Sequence, residues 1–352
     1  MPELLKLDLF RNPNTLWVLV GCVMLGVCSG ILSSFAMLRR RSLLGDALAH
    51  AALPGVCIVF LITGTRSVLL FMLGAFIAGI IGAFCVQVVT KYSRLKEDAA
   101  LGIVLSVFYA FGIVLLTFIL HTGEGNKAGL EKFLFGQAAA LMAADVKIMT
   151  LAAALITFLA IAFYKELKLL CFDPGFADGL GFSSTLLDAM LNLFIVLVVI
   201  IGLQAVGVIL MVAMLITPAA SARFWTGKLG VMVWLSALVG AFSGALGTYL
   251  STVDLHDMFP AWFTEPATGL STGPLIVLSA TFFFVISLIF APKRGAIARA
   301  WRLLQVRRKV ARENILRAIY ELGERRGNWR TEFSLEEIAQ HRNVGVASIQ
   351  RG

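Results

Sequence analysis

Asp46 and His50 stand four residues apart in Gly45-Asp46-Ala47-Leu48-Ala49-His50, directly ahead of an apolar run from Ala51 to Ile62. On a helix, that spacing puts both side chains on one face. A carboxylate oxygen beside an imidazole nitrogen suits borderline divalent metals such as manganese, iron or zinc. Ionisable groups at membrane depth are costly, and they mark ion paths or proton relays. The plainer alternative is a structural pair in which each group satisfies the other. Two donors do not fill a coordination sphere, so water, backbone carbonyls or another helix must supply the remainder. Small residues crowd the same stretch (Gly45, Ala47, Ala49, Ala51, Ala52 and Gly55), which allows close helix approach and leaves room for an ion. Pro54 removes a backbone donor and frees a carbonyl in the preceding turn.

The elements that must position this pair are read from composition. The chain has 352 residues, of which 59% are hydrophobic and 14% charged, and its mean hydropathy is +0.88. A soluble core cannot hide that much apolar surface. Apolar windows that mark candidate crossings of a hydrocarbon layer roughly 30 Å thick, several of them about twenty residues long, run over Leu16 to Met37, Val68 to Val89, Gly102 to Leu120, Leu151 to Phe163, Leu191 to Gly202, Val231 to Leu250 and Gly273 to Ala291. Ala51 to Ile62 and Val206 to Ala220 are shorter or follow a polar stretch, and they are expected to be broken or partial spans. The expected fold is therefore all-α, a polytopic transmembrane bundle of eight or nine spans. Continuous apolar runs, in place of alternating ones, argue against a barrel. Five cysteines (Cys22, Cys28, Cys57, Cys85 and Cys171) lack metal-ligand spacing and read as small core residues. The first apolar run is too long for a cleaved signal peptide and has no small-residue cleavage site.

Charge divides the chain at about residue 291. Through Ala291 there are 16 Lys and Arg against 15 Asp and Glu, and from Pro292 onward there are 14 against 6. Residues 1–291 thus form the membrane domain, and 292–352 a short basic cytoplasmic tail. In the tail, Ala298 to Leu322 reads as a basic amphipathic helix, and Ser334-Leu335-Glu336-Glu337 has the form of a capping box. A helix through Ile338 and His341 and a turn at Asn343 to Gly345 would follow, resembling the start of a helix-turn-helix or winged-helix module. The sequence given stops short of a full recognition helix, so DNA binding is not expected of it; attraction to membrane lipid accounts for the charge.

Lys and Arg mark cytoplasmic loops. Arg39, Arg40 and Arg41 follow the first span, Lys91, Arg94 and Lys96 the third. Placing both loops inside also brings in Lys165, Lys168, Arg223, Lys228 and the tail, provided that Val206 to Ala220 crosses. The amino terminus is then outside, the carboxy terminus cytoplasmic, and the protein multi-pass in the cytoplasmic membrane. The outer segment 251–272 has no Lys or Arg but carries Asp254, His256, Asp257 and Glu265, which could draw cations to an outer mouth or be simple solvated loop charges.

Three stretches together resemble the permeases of the metal-ion ABC importers for manganese, zinc and iron. Phe35 to Gly55, through Arg39-Arg40-Arg41 and the Asp46 to His50 segment, is similar to the family's hallmark. Cys171-Phe172-Asp173-Pro174-Gly175-Phe176-Ala177 with Gly179-Leu180-Gly181 is similar to its ATPase-docking loop, and Val206 to Ala220 to its late short helix. The resemblance implies that Asp46 and His50 line or coordinate the metal. It implies that Asp173, Pro174, Gly175, Phe176, Ala177 and Gly181 belong to the element that receives ATP-driven motion. It also implies partners: a cytoplasmic ABC ATPase dimer, a second permease subunit of the same or a homologous kind, and an extracytoplasmic metal-binding protein. The metal is then cargo (Mn2+, Zn2+ or Fe2+), and no resident cofactor is expected. No Gly-x-x-x-x-Gly-Lys-Ser/Thr loop occurs in the sequence, so the chain is not expected to hydrolyse ATP itself. A proton-coupled secondary metal transporter using the same Asp and His is the alternative, and a membrane-anchored metal-responsive regulator a weaker one.

Overall fold

The structure, a computed structural model, describes residues 13–41, 43–64, 67–121, 143–252, 271–292, 294–326 and 334. Among them are twelve helices and no strand: α1 Pro13–Leu38, α2 Leu44–Thr63, α3 Val68–Tyr92, α4 Glu97–His121, α5 Ala143–Ala162, α6 Tyr164–Phe172, α7 Pro174–Gly179, α8 Ser184–Val206, α9 Val208–Trp225, α10 Leu229–Thr252, α11 Thr272–Phe290 and α12 Ala296–Arg326. Eight of these, α1 to α5 with α8, α10 and α11, are long and apolar enough to cross a membrane. The protein is a multi-pass helical membrane protein, as its composition requires. The segment expected to be a partial span, Ala51 to Ile62, belongs to the complete 20-residue α2.

The chain divides into two compact units, through Ser287 and from Leu288. In the first unit α1, α2 and α8 are largely buried, whereas α4 turns most of its surface outward. Lipid is as apolar as leucine, so helices in a bilayer gain little from hydrophobic burial against each other and depend on close fit. α1 and α10 meet through small residues. A Cβ added to Gly26 would collide with the Gly240 carbonyl, and one on Gly30 with that of Ser236. The two backbones therefore run antiparallel in direct contact.

Helix ends obey local rules. Glu97 and Asp98 occupy the first turn of α4 and Lys91 the last turn of α3, each matched to the local sign of the helix dipole. α1 closes with the Arg41 N–H donating to Ala36 O at 2.8 Å and the Arg40 N–H to Met37 O at 3.1 Å. That double closure needs a left-handed residue, normally glycine. Here Arg40 takes it, at φ 58°.

Contacts fix which ends share a side. Arg39 reaches Asp188, Arg41 reaches Glu97, and Tyr164 packs edge-on against Phe35. A Cβ at Gly230 would lie 3.3 Å from the Tyr164 hydroxyl. The ends of α1, α2, α4, α6, α8 and α10 at these residues form one face. Val206 lies at the opposite face, because a Cβ on Gly273 at the start of α11 would sit 2.6 Å from its carbonyl oxygen. α9 starts from there, across the single residue Gly207 (φ 90°), and ends at Trp225, with three residues between it and α10. It therefore runs from that face toward the charged one.

In the second unit α12 runs for 31 residues, beginning two residues before and ending four residues after the expected Ala298 to Leu322. It carries i,i+4 pairs Lys309–Glu313 at 3.7 Å and Arg317–Glu321 at 2.9 Å. The helix expected beyond Ser334 lies outside the described residues.

The glycine seam generates a paired prediction. Gly26→Val should cost about 1–3 kcal/mol of stability through overpacking, read as a lower melting temperature in detergent. Gly102→Ala, where an added Cβ meets nothing within 4 Å, should leave it level or raised.

Candidate functional site

α2 starts at Leu44, so Asp46 lies in its first turn and His50 one turn deeper. His50 Nε2 is 3.4 Å from Asp46 Oδ1, with side chains 19% and 36% exposed. Neither group is sealed away, so a third species can approach both. The edge of one ring meets the face of another where His50 packs on Tyr109 of α4, centroids 4.8 Å apart at 77°. Behind the pair the fit is close: a Cβ on Gly45 would lie 2.6 Å from Leu215 of α9, and one on Gly82 of α3 would lie 2.9 Å from Ala51. Helix α2 continues through Pro54, whose missing N–H leaves the His50 carbonyl, four residues back, without its helical partner. Among the described residues no group of three or more His, Cys, Asp or Glu gathers into a metal cage. The protein side chains at this point offer one carboxylate and one imidazole, as the spacing predicted, with Tyr109 as a neighbour that sequence reading did not single out.

The segment around residues 171–181 folds into two short helices. Leu167 and Leu170 of α6 are fully buried and anchor it. Asp173 caps α7 by accepting the Phe176 N–H at 2.9 Å, and Pro174 takes the first-turn position where its missing donor costs nothing. Asp178 accepts both the N–H and the Oγ–H of Ser184, at 2.7 and 2.9 Å, tying α7 to the start of α8. Gly181 turns the chain at φ 88°. Ala177 is buried, whereas Phe172, Phe176 and Leu180 stand out as an apolar knob. An added Cβ on Gly175 would make only ordinary contact with Asp173.

Beside this segment lies a charged network. Arg39 Nη2 donates to both oxygens of Asp188, at 2.8 and 2.9 Å, and Arg41 Nη2 donates to Asp188 Oδ2 at 3.0 Å. Arg41 Nη1 donates to Asn192 Oδ1 at 2.8 Å, and its Nε lies 3.1 Å from Glu97 Oε1. Arg39 Nη1 donates to the Leu170 carbonyl at 3.3 Å. In the sequence the arginines mark topology and belong to the hallmark stretch, but nothing there pairs them with Asp188. The missed signal was Asp188 and Asn192, two polar residues four apart at the start of an otherwise apolar helix. A cavity of about 280 Å³ opens here, lined by Arg39, Arg41, Gln87, Lys91, Glu97 and Asp188 among others.

Asp254, His256, Asp257 and Glu265 lie outside the described residues. The five cysteines are free, with Cys22, Cys28 and Cys57 buried in the bundle.

A bundle of this kind, with an ionisable pair inside one span and a capped surface helix beside its charged face, defines a membrane permease. The chain belongs to the ABC 3 transport family, whose profile matches residues 11–291. It is similar to the manganese transport system membrane protein MntC of Bacillus subtilis, 50% identical over 311 residues that cover 88% of this chain and 68% of the relative. It is also similar to the zinc transport system membrane protein TroC of Treponema pallidum, 42% identical over 298 residues, 85% of this chain and 96% of that one. Among solved structures it matches PsaBC from Streptococcus pneumoniae in complex with Fab, at a TM-score of 0.70 and 31% identity, covering 86% of this chain and 99% of that chain.

Burial pushes the Cys171 thiol of α6 up to about 11; nearby Arg39 opposes the rise and Asp188 adds to it. Alkylation of Cys171 by iodoacetamide at pH 8, followed by peptide mass spectrometry, should therefore run about a hundredfold slower than for an ordinary thiol, because only the thiolate reacts.

Proposed function

We propose that this chain is the membrane-spanning subunit of an ATP-driven importer that carries a divalent transition-metal ion into the cytoplasm, with Asp46 and His50 as donors on the ion's path. The observation that carries this reading is the Asp46–His50 pair itself. It is the combination of oxygen and imidazole that binds such ions, partly exposed, on a membrane-spanning helix. The names of the relatives point to manganese and zinc as cargo; the same two donors accept ferrous iron. Water, the freed His50 carbonyl or groups from another subunit would complete the coordination sphere.

ATP hydrolysis comes from a separate chain. The apolar knob of Phe172, Phe176 and Leu180 on the capped α7 suits docking on that ATPase, with Asp173 to Gly181 as the coupling element. An extracytoplasmic metal-binding protein would dock on the opposite face, and a second permease subunit would complete the assembly. The shared face of Arg39, Arg41, Lys165, Lys168 and Lys228 supports a cytoplasmic assignment for that side of the membrane unit under the positive-inside rule, with the amino terminus outside.

The test is uptake of radioactive manganese or zinc by vesicles containing the reconstituted importer. Asp46→Ala and His50→Ala should each lower uptake at least about tenfold, the scale expected for damage to a metal site, while the purified subunit keeps its melting temperature. Unchanged uptake in both variants would sink the assignment.

A further inference from the structure

We propose that the Arg39–Asp188–Arg41 clamp is the joint that carries movement of the 171–181 segment to Asp46 and His50, a reading that rests on the functional proposal above. Two routes lead from α7 and meet at this carboxylate. The first runs back along the chain: Leu170, three residues before the Asp173 cap, gives its carbonyl to Arg39. The second runs forward: Asp178 of α7 holds the N–H and hydroxyl of Ser184, and Asp188 lies one turn further along α8. Because Arg39 also grips Asp188, the two routes close into a loop. α7 cannot shift without either dragging the arginine turn or opening the clamp.

On its other side the clamp leads directly into the candidate metal pair. The Arg41 carbonyl accepts the N–H of Leu44, the first residue of α2, at 3.1 Å, and Asp46 follows two residues later. Arg41 also holds Asn192 and pairs with Glu97, so the start of α2 is fixed against α8 and α4 at once. His50 in turn rests on Tyr109 of that same α4. A shift of Asp188 therefore moves the carboxylate's supports and the imidazole's support by the same link.

Two observations set this apart from ordinary surface pairing. Arg39, Arg41 and Asp188 are only 15–21% exposed, so their attraction is weakly screened by solvent. Both arginines can address one carboxylate because Arg40 between them is held left-handed, a conformation that a side chain disfavours and that persists where surrounding contacts over-determine it. Asp188 and the arginines touch no ion in this scheme; they act as positioning residues.

The experiment uses the importer reconstituted with its ATPase and binding protein, reading ATP turnover and uptake of radioactive manganese or zinc in the same vesicles, and equilibrium binding of that metal to the detergent-purified permease. Asp188→Asn keeps the shape and removes the charge. It should leave ATP turnover and metal binding within twofold of wild type and lower ions imported per ATP at least tenfold, with Asp188→Glu recovering at least half. Loss of uptake and ATP turnover in proportion, or an unchanged ratio, would overturn the joint. If Asp188→Asn does not assemble, Arg39→Lys keeps the charge but cannot span both carboxylate oxygens and Leu170, and the same ratio decides. Asp46→Ala run alongside separates the two proposals: its uptake reports on the metal pair, whereas ions per ATP in the clamp variants report on the joint.

Discussion

Inside a bilayer the backbone must satisfy its own hydrogen bonds, and helices hold together by fit because the solvent is itself apolar. The direct contact of α1 with α10 through Gly26 and Gly240 is where this bundle meets that constraint most tightly. With α1 fixed there, its end at Leu38 is fixed too, and with it the arginine turn that starts α2. The similar approach of Gly55 to Gly74 seats α2 against α3. Small side chains thus decide where the polar ones stand.

Several of the polar groups in this bundle are answered by close neighbours. Ser34 meets Ser236 across the α1–α10 seam at 2.7 Å, and Thr90, Ser243, Thr248 and Ser279 return their hydroxyls to carbonyls four residues back. Against that background Asp46 and His50 differ, because they face one another and remain open to a third group. Asp188 differs in the other direction, with two arginines on a single carboxylate. One pair has spare coordinating capacity and the other has its charge fully engaged, which is why the first suits transient binding and the second mechanical connection.

The spans were legible because long apolar runs have few other uses. Their ends were less so, and the reasons lie in long-range partners. Apolarity alone starts α8 at Leu191, but the helix begins at Ser184, since Asp188 and Asn192 are answered by arginines 147 to 151 residues away in the sequence. Likewise α5 begins at Ala143 and not Leu151: Asp145 suits the positive end of the helix, and Lys147 lies over the ring of Trp17 at 5.1 Å. The Asp46–His50 pair was readable from spacing because its geometry is local to one helix. Tyr109 was not, because nothing about a tyrosine within an apolar run says which helix it will face.

The knob of Phe172, Phe176 and Leu180 has a consequence for how such a subunit is made. Aromatic and aliphatic side chains held rigidly outward on a capped helix form a patch that water does not favour. A copy synthesised without a chain to cover that patch carries an adhesive surface, open to self-association or to capture by chaperones and proteases. Balanced production of the covering subunit would then protect the membrane protein before any ion is moved.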